Sequence, residues 1–272
     1  MDPRQLQQTL GYFKHHIEQL YASALRSRKR IAELEARLAL ERSGRGMPSD
    51  AALLSQYGED VLLWEILGRP LSGFFIEVGA FDGKSLSVSW FFERLGWSGL
   101  LIEGIPDRFE ACRAARPGSR VVHGALSRRG SAPTARFSVP SAQPMLAFNS
   151  THASHRDRVA REGGTVQEIE VPQTTMDDLL ASHPGPDGPP RIDFAVIDVE
   201  GGEPDVLDGF DLIKHRPRVL VIEDNQIGQP ETPVSRLMAK APYIEVTQLV
   251  VNRVYVLKDE RDVIERARGW TL

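Results

Sequence analysis

Four acidic residues stand at the ends of two apolar segments in the C-terminal half of the chain. Asp198 and Glu200 follow the first segment, and Glu223 and Asp224 follow the second. Short, nearly continuous apolar runs predict parallel strands that are covered on both faces. Because parallel strands end at the same edge of a sheet, we expect the four carboxylates to converge.

Carboxylates gathered in a partly dry site repel one another unless they are protonated, paired or bound to a metal ion. Oxygen ligands suit a hard cation such as Mg²⁺, which lowers the pKa of a coordinated alcohol. The candidate metal ligands are Asp198, Glu223 and Asp224. The candidate catalytic residues are Asp198 and Glu200, with Glu200 as the base. In an alternative interpretation, Asp198 holds a cofactor, Glu200 caps the next helix and Glu223 pairs with an arginine.

A glycine-bracketed turn follows another apolar run, Phe74–Val78, which we predict to be a buried strand. Gly79 and Gly83 can adopt positive φ and let a ligand approach the backbone closely. The segment Ser85–Leu95 predicts a helix whose free N–H groups point at whatever lies over the turn. This pattern favours a nucleotide-type binding site.

Glu103 ends the next predicted strand, where an acidic residue can accept hydrogen bonds from both hydroxyls of a ribose. The turn lacks the middle glycine that a pyrophosphate needs. It therefore fits S-adenosylmethionine (SAM), which has no phosphate, better than NAD. We assign Ala80 and Asp82 of the turn to the same cofactor site. Gly124 and Ala125, after the third predicted strand, leave room for an adenine ring.

Strands alternate with helices along most of the chain, which predicts an α/β fold with a doubly wound, mostly parallel sheet. Tyr243–Leu249 and Arg253–Lys258 predict an antiparallel C-terminal hairpin at its edge. The ligand crevice of such a sheet lies beyond the carboxyl ends of the strands. The polar segment 128–164 predicts a long irregular loop that selects the substrate.

The first 42 residues predict a coiled-coil helix with a heptad seam. The seam consists of Leu6, Leu10, Phe13, Ile17, Leu20, Ala24, Ile31, Leu34 and Leu38, with Ser27 in one apolar slot. A stripe this narrow on a charged helix favours self-association through residues 6–38, as a dimer or a trimer. The alternative is an amphipathic helix that lies on its own globular domain. We expect residues 1–42 to oligomerise, 43–52 to be a linker and 53–272 to form the globular domain.

Composition limits the classes of partner. The formal net charge of -4 gives no sign of a nucleic-acid-binding surface. No apolar run is long enough to span a membrane, and the first residues are polar. The single cysteine, Cys112, cannot form an internal disulfide. We therefore expect a soluble, cytoplasmic protein with no nucleic-acid partner and no integral membrane contact.

Five segments occur in the order and spacing of the FkbM family of SAM-dependent methyltransferases, which the sequence resembles over about residues 53–258. They are Ser55–Asp60, Phe75–Gly83, Ile102–Glu103, Thr175–Leu179 and Ile197–Glu203. The resemblance implies a Rossmann-like class I methyltransferase fold with SAM as the cofactor. It also implies methylation of hydroxyl groups on sugars or on polyketide-type natural products.

The resemblance also implies roles for residues of this chain. The residues it places at the cofactor are Gln56, Glu77, Gly79, Gly83, Glu103 and Asp198. Some related sugar O-methyltransferases depend on Mg²⁺ and carry acids at the ends of the fourth and fifth strands, a placement that Asp198, Glu223 and Asp224 match. Gly201 stands where one such group has its histidine base.

These observations together predict a bacterial O-methyltransferase that moves a methyl group from SAM to a sugar hydroxyl by in-line displacement. An N- or carboxyl-methyltransferase on the same fold is the nearest alternative. A NAD-dependent oxidoreductase is a second alternative. A third is a non-catalytic assembly protein that combines the coiled coil with a degenerate methyltransferase domain.

Overall fold

The computed structural model describes residues 2–140, 148–149, 166–182 and 190–270. The helices are α1 (Pro3–Arg42), α2 (Glu59–Ile66), α3 (Trp90–Leu95), α4 (Pro106–Ala115), α5 (Met176–Ala181), α6 (Glu203–Asp208), α7 (Leu212–His215), α8 (Pro233–Met238) and α9 (Arg261–Arg268). The strands are β1 (Phe74–Val78), β2 (Ser98–Glu103), β3 (Arg120–His123), β4 (Ala125–Leu126), β5 (Thr134–Pro140), β6 (Phe148–Asn149), β7 (Val166–Thr174), β8 (Phe194–Ile197), β9 (Val219–Glu223), β10 (Tyr243–Leu249) and β11 (Asn252–Leu257).

The main sheet has seven strands in the order β10-β11-β9-β8-β1-β2-β3. The pairs from β9 to β3 are parallel, whereas β11 is antiparallel to both β9 and β10. The doubly wound, mostly parallel sheet with an antiparallel C-terminal hairpin is thus confirmed, and the fold is Rossmann-like. A smaller sheet, β4-β7-β5-β6, lies beside it.

The strand register brings the predicted site residues to one edge. Val78 at the end of β1 pairs with Ile102 of β2 and with Ile197 of β8. Ile197 in turn pairs with Ile222 of β9. The residues that follow these four strand positions, which are Gly79, Glu103, Asp198 and Glu223, therefore lie side by side.

Helices cover the main sheet on both faces, as alternation along β9 illustrates. Val219 and Val221 are fully buried in a core with α1, α2, α3 and α9. Leu220 and Ile222 point to the opposite core, which α5, α6 and α8 complete. Side chains on successive strand positions face opposite sides, so a strand buried on both faces must be apolar throughout.

The second half of α1, from Tyr21 onward, lies along the domain through a face that differs from the heptad seam. Leu25, Ala32, Ala36 and Leu40 are buried against the first core. The large apolar residues of the seam are instead between 47 and 65 % exposed. The helix is therefore packed against its own domain, as the alternative interpretation predicted, and its seam faces away from that domain.

The connection after α1 also touches the domain. The indole Nε1 of Trp90 donates a hydrogen bond of 2.9 Å to the carbonyl oxygen of Asp50. Arg45 donates to the carbonyl oxygen of Leu95. Among the helices that the structure describes, none is long and apolar enough to cross a membrane.

The helix predicted over Ser85–Leu95 is wrong in its first half, because α3 begins at Trp90. Leu86 has a φ of 59°, which no helix interior accepts. The polar groups of Ser87–Ser89 are bound to the side chain of Glu77 instead. A buried carboxylate thus competes with helical hydrogen bonding in this segment.

The prediction of an irregular loop over 128–164 is also partly wrong. Strand β5 lies within it and pairs antiparallel with β7, and β6 pairs with β5. The remainder of the predicted loop, 141–147 and 150–164, lies outside the described residues.

Candidate active site

A cleft of about 470 Å³ opens at the carboxyl edge of the main sheet. Of the predicted site residues, its walls include Gln56, Glu77, Gly79, Ala80, Glu103, Ala125, Asp198, Glu200 and Glu223. Asp82, Gly83 and Asp224 are not among the lining residues. The edge of the sheet thus brings together nearly all of the predicted cofactor residues.

Gly79 is required by a close contact between strands. Its φ is 86°, and a Cβ atom there would lie 1.8 Å from the carbonyl oxygen of Asp198. The N–H groups of Gly79 and Ala80 both donate to the carbonyl oxygen of Ile102, at 3.0 and 3.1 Å. The turn is therefore locked between β2 and β8, and only glycine fits this place.

Gly83 is also closely packed, on the side of the turn that faces away from the cleft. A Cβ atom on it would meet Arg116 Cγ at 2.8 Å and Cys112 Sγ at 2.9 Å. Its φ of 77° also favours glycine. Next to it, Asp82 Oδ1 accepts hydrogen bonds from the N–H groups of Lys84 (2.8 Å) and Ser85 (2.7 Å). Both residues therefore shape the turn, and neither faces the cleft.

Glu77 is buried and fully engaged by the same turn. Its carboxylate accepts hydrogen bonds from Ser87 Oγ (2.9 Å), from the N–H of Val88 (3.0 Å) and from Ser89 Oγ. Arg116 Nη1 lies 3.8 Å away. Glu77 thus fixes the segment that closes one side of the cleft.

Glu103 offers a buried carboxylate at the end of β2. Its two oxygens accept hydrogen bonds of 2.8 Å from the N–H groups of Phe81 and Ile105. Burial raises the pKa of Glu103, although these hydrogen bonds and the charge of Arg108 counter the shift. Each oxygen keeps a lone pair for a ligand hydroxyl. This geometry fits a ribose whose two hydroxyls face one carboxylate.

Asp198 and Glu223 form a carboxyl pair at the centre of the cleft. Asp198 keeps an exposed surface toward the cleft, but the surrounding protein removes much of the solvation of its carboxyl group, which raises its pKa well above the usual range. The neighbouring charge of Glu223 raises the pKa further. Burial also raises the pKa of Glu223 to about 7. The mutual repulsion of the two carboxylates favours a state in which one of them is protonated. Among the described residues, Glu223 Oε2 has no hydrogen-bond partner.

Glu200 lies on the same wall, in a strained loop. It has a φ of 54°, in the left-handed region. The loop is held by Glu203, whose Oε1 accepts hydrogen bonds of 3.0 Å from the N–H groups of Val199 and Gly201. Burial raises the pKa of Glu203 to about 7. Glu203 is thus the group that orients the end of β8.

In the structure the three predicted metal ligands do not converge on one site, because Asp198 and Glu223 line the cleft and Asp224 does not. Asp224 Oδ2 accepts hydrogen bonds from Thr232 Oγ1 (2.5 Å) and Arg253 Nε (2.9 Å). Arg253 stands opposite Ile222 on the antiparallel strand β11, which draws the Asp224 side chain away from the cleft. No group of three or more metal-ligating side chains occurs within the described part of the chain.

Sequence reasoning missed several cleft residues, notably Tyr57, Arg108, Asn225 and Asn252. The charges of Glu223 and Asp198 contribute to a raised pKa of Tyr57, after burial and Glu59, so this phenol faces the carboxyl pair. Arg108 lies in the first turns of α4, five residues after Glu103. Its closeness in sequence to a predicted cofactor residue could have indicated that it lines the cleft. Asn252 comes from the hairpin, and nothing in its local sequence points to the site.

Comparison with known proteins identifies one family. The model of the "Methyltransferase FkbM domain" matches residues 77–254. A comparison with curated proteins finds no match.

Several solved structures are similar. The O-methyltransferase TomG from Streptomyces achromogenes, in complex with SAM, is 14% identical, with 83% of this chain and 88% of that chain covered and a TM-score of 0.41. Precorrin-6y C5,15-methyltransferase from Geobacter metallireducens GS-15 is 11% identical, with 78% and 92% covered and a TM-score of 0.40. A TehB-like SAM-dependent methyltransferase from Corynebacterium glutamicum ATCC 13032 Kitasato is 11% identical, with 84% and 98% covered and a TM-score of 0.39.

Proposed function

The chain belongs to the FkbM methyltransferase family, and we propose that it transfers the methyl group of SAM to a hydroxyl group of a sugar or of a glycosylated natural product. One observation carries the proposal. A carboxylate suited to a ribose, Glu103, and two electrostatically coupled carboxyl groups, Asp198 and Glu223, line the same cleft on either side of the Gly79 turn.

The cleft suits a cationic cofactor better than an anionic one. Its lining acids are Glu77, Glu103, Asp198, Glu200, Asp205 and Glu223. Arg108 is the one lysine or arginine among the described lining residues. A sulfonium ion is attracted by this field, whereas a pyrophosphate is repelled. In the proposed arrangement Glu103 holds the ribose, the turn at Gly79 and Ala80 faces the methionine part, and Ala125 borders the adenine.

When bound, SAM supplies an electrophilic methyl group. As the bond from the acceptor oxygen to the methyl carbon forms and the sulfur–carbon bond breaks, the hydroxyl proton must leave. Glu223 Oε2 lies buried on the cleft wall and is placed to accept a hydrogen bond from that hydroxyl. A pKa of about 7 suits a group that takes a proton at neutral pH. Asp198 is electrostatically coupled to Glu223, and Glu200 is the second candidate base on this wall.

The other polar groups of the cleft favour an acceptor rich in hydroxyl groups. Two amides, Asn225 and Asn252, and the phenol of Tyr57 line the cleft with Glu223. Asn252 is itself oriented by a 2.6 Å hydrogen bond to Glu59. Neutral amides donate and accept hydrogen bonds, as the neighbouring hydroxyls of a sugar require. The proposal includes no metal ion, because Asp224 is turned toward Arg253.

We further propose that the protein self-associates through the seam on α1. The seam exposes eight large apolar side chains in heptad register. A contiguous exposed apolar surface of this kind is typical of a helix that binds a partner. A second copy offers the same seam and covers it by symmetry. In this arrangement residues 1–42 assemble the oligomer, 43–52 connect and 53–272 catalyse. A lone, buried cysteine, Cys112, supports a reducing, cytoplasmic location.

Incubation with methyl-labelled SAM and separate pools of acceptors tests this function. The pools are sugars, glycosylated natural products, amines and carboxylic acids, and mass spectrometry locates the label. We expect label on a hydroxyl in the first or second pool, and none with the Glu103→Ala variant. Label on amines or carboxylates alone would establish the alternative acceptor class.

A further inference from the structure

The N-terminal helix reaches the wall of the cleft through the segment Ser55–Glu59. This segment joins the connection after α1 to α2, and its residues Gln56 and Tyr57 line the cleft. It belongs to none of the described helices or strands except at Glu59, where α2 begins. Gly58 turns the chain with a φ of 94°. Because the segment is in neither a helix nor a strand before Glu59, its conformation depends on contacts with the rest of the chain.

Three side chains on one face of α1 supply those contacts. Tyr21, Leu25 and Lys29 are spaced four residues apart, which aligns them along the helix. The hydroxyl of Tyr21 donates a 2.8 Å hydrogen bond to the carbonyl oxygen of Tyr57. A Cβ atom on Gly58 would lie 2.6 Å from Leu25 Cδ1, so the turn lies flat against the leucine.

Lys29 makes the strongest of these contacts. Its Nζ donates to the carbonyl oxygens of Ser55 (2.6 Å) and Leu53 (3.1 Å) and lies 4.0 Å from Asp60 Oδ2. Asp60 is fully buried and binds the N–H (2.8 Å) and the hydroxyl (2.5 Å) of Ser55. Burial raises the pKa of Asp60, and the charge of Lys29 counters that shift. Ser55 is thus clamped between a cation and a carboxylate.

On the cleft side the same segment is tied to the hairpin. Glu59 accepts a 3.0 Å hydrogen bond from the N–H of Tyr57 and a 2.6 Å hydrogen bond from Asn252 Nδ2. The segment is therefore bound to α1 on the side away from the cleft and to β11 on the cleft side. Loss of the contacts with α1 would therefore let Gln56 and Tyr57 move out of their positions in the cleft wall.

We propose that α1 is a structural part of the cleft, and that Tyr21, Leu25 and Lys29 are positioning residues that hold Gln56 and Tyr57 against the bound cofactor and acceptor. This inference deepens the proposed function and rests on it. It gives the N-terminal helix a role in the site that is separate from self-association.

The two roles use different faces of the helix. If the seam residues occupy heptad positions a and d, Leu25 falls at position b and Lys29 at position f, on the far side of the helix, whereas Tyr21 falls at position e, beside the seam. A second copy on the seam thus leaves Lys29 in contact with Ser55. Seam variants and Lys29 variants should therefore have separable effects.

The test compares Lys29→Met with Arg28→Met in the full chain. Arg28 is the neighbouring residue and also pairs with the domain, at 2.7 Å from Glu65 on α2, but it does not touch the segment Ser55–Glu59. The first measurement is hydrogen exchange at the amides of Gly58 and Asp60, both of which donate to Ser55 Oγ. The second is calorimetric affinity for S-adenosylhomocysteine.

We expect Lys29→Met to speed exchange at these amides and to weaken binding by about tenfold each, the effect of losing a charge-assisted hydrogen bond. Arg28→Met should change both by less than about twofold. Lys29→Arg, which keeps the charge, should recover part of the loss. If Lys29→Met does not fold, Tyr21→Phe removes only the hydroxyl and should speed exchange in the same segment.

Equal exchange and equal affinity in Lys29→Met and the wild type would overturn the inference, as would equal losses in Lys29→Met and Arg28→Met. Absence of binding by the wild type would instead contradict the proposed function. The exchange comparison needs no ligand and would still decide whether α1 orders the segment.

Discussion

Arg116 Nη1 donates a hydrogen bond of 2.8 Å to the carbonyl oxygen of Gly83, from a guanidinium that is fully buried. The same group pairs with Glu93 at 2.8 Å and donates to Ser89 Oγ at 2.7 Å. One cation thus ties the end of α4 to the turn after β1 and to the segment that binds Glu77. The shape of the cleft depends on a charge that lies outside it.

Replacement of Arg116 by methionine should therefore lower the free energy of unfolding by about 3 kcal/mol, because the buried carboxylates of Glu93 and Glu77 would lose its charge and only Arg94 would still pair with Glu93. Urea unfolding measures the loss. The matched control is Arg113→Met on the same helix, which removes an exposed pair with Glu110 and should cost about 0–1 kcal/mol. Similar losses in both variants would contradict the role given to Arg116.

A methyl group at position 79 should disrupt the cofactor turn. In Gly79→Ala the new Cβ would need the place 1.8 Å from the carbonyl oxygen of Asp198, so β1 and β8 must separate. We expect binding of S-adenosylhomocysteine to fall below detection in calorimetry. Gly130→Ala is the control, since Gly130 has a similar φ of 76° with nothing within 4 Å. That variant should bind normally and lose only about 1–2 kcal/mol of stability. Normal binding by Gly79→Ala would refute the contact.

Methyl transfer should persist after removal of divalent cations. The carboxylate of Asp224 is held by Arg253 and Thr232, which leaves Asp198 and Glu223 without a third acidic ligand. Rates measured with Mg²⁺ and with excess EDTA should agree within about twofold. An EDTA-inactivated enzyme that Mg²⁺ restores would show that the side chains rearrange around a metal ion.

Stability should fall as the pH rises from about 4.5 to about 7. Burial raises the pKa of Glu203 from 4.5 to about 7, so the folded protein holds a proton that the unfolded chain releases above about pH 4.5. The free energy of unfolding then decreases between about pH 4.5 and 7, by up to about 3 kcal/mol from this group.

Glu203→Gln isolates that contribution. Glutamine keeps an oxygen for the N–H groups of Val199 and Gly201 and does not titrate. Urea unfolding at several pH values should show a flatter dependence for the variant. The remaining slope comes from the other carboxyl groups whose pKa values are raised, which are Asp198, Glu223, Glu59, Asp60 and Glu103. An unchanged slope would mean that Glu203 titrates normally.

Charges on the seam should dissociate the oligomer. Leu10→Glu combined with Ile17→Glu places two carboxylates among exposed apolar residues of α1 that a second copy would bury. Sedimentation velocity should show a monomer for this variant and a dimer or trimer for the wild type. Gln8→Glu with Gln19→Glu adds the same charge off the seam and should leave the assembly intact. A monomeric wild type would refute self-association.

The inner strands of the main sheet could be predicted because they are apolar on both faces. Phe74–Val78 and the segment ending at Glu223 were predicted as strands and are strands in the structure. The direction of Asp224 could not be predicted, because it depends on Arg253 from a strand far along the chain.

The second face of α1 escaped prediction for a different reason. Ala32 and Ala36 are buried there, but small residues give a weak apolar signal beside the leucine-rich seam. The turn over Ser87–Ser89 escaped prediction because its order comes from the side chain of Glu77. Both features depend on contacts between residues far apart in the sequence, so local sequence patterns do not reveal them.

Calorimetric titration of the purified protein with S-adenosylhomocysteine, in parallel with NAD, decides whether the cleft is a SAM site. We predict one site per chain for S-adenosylhomocysteine, loss of that binding in Glu103→Ala, and no heat with NAD. Absence of S-adenosylhomocysteine binding to the folded wild type, or equal binding by Glu103→Ala, would refute a SAM site in this cleft.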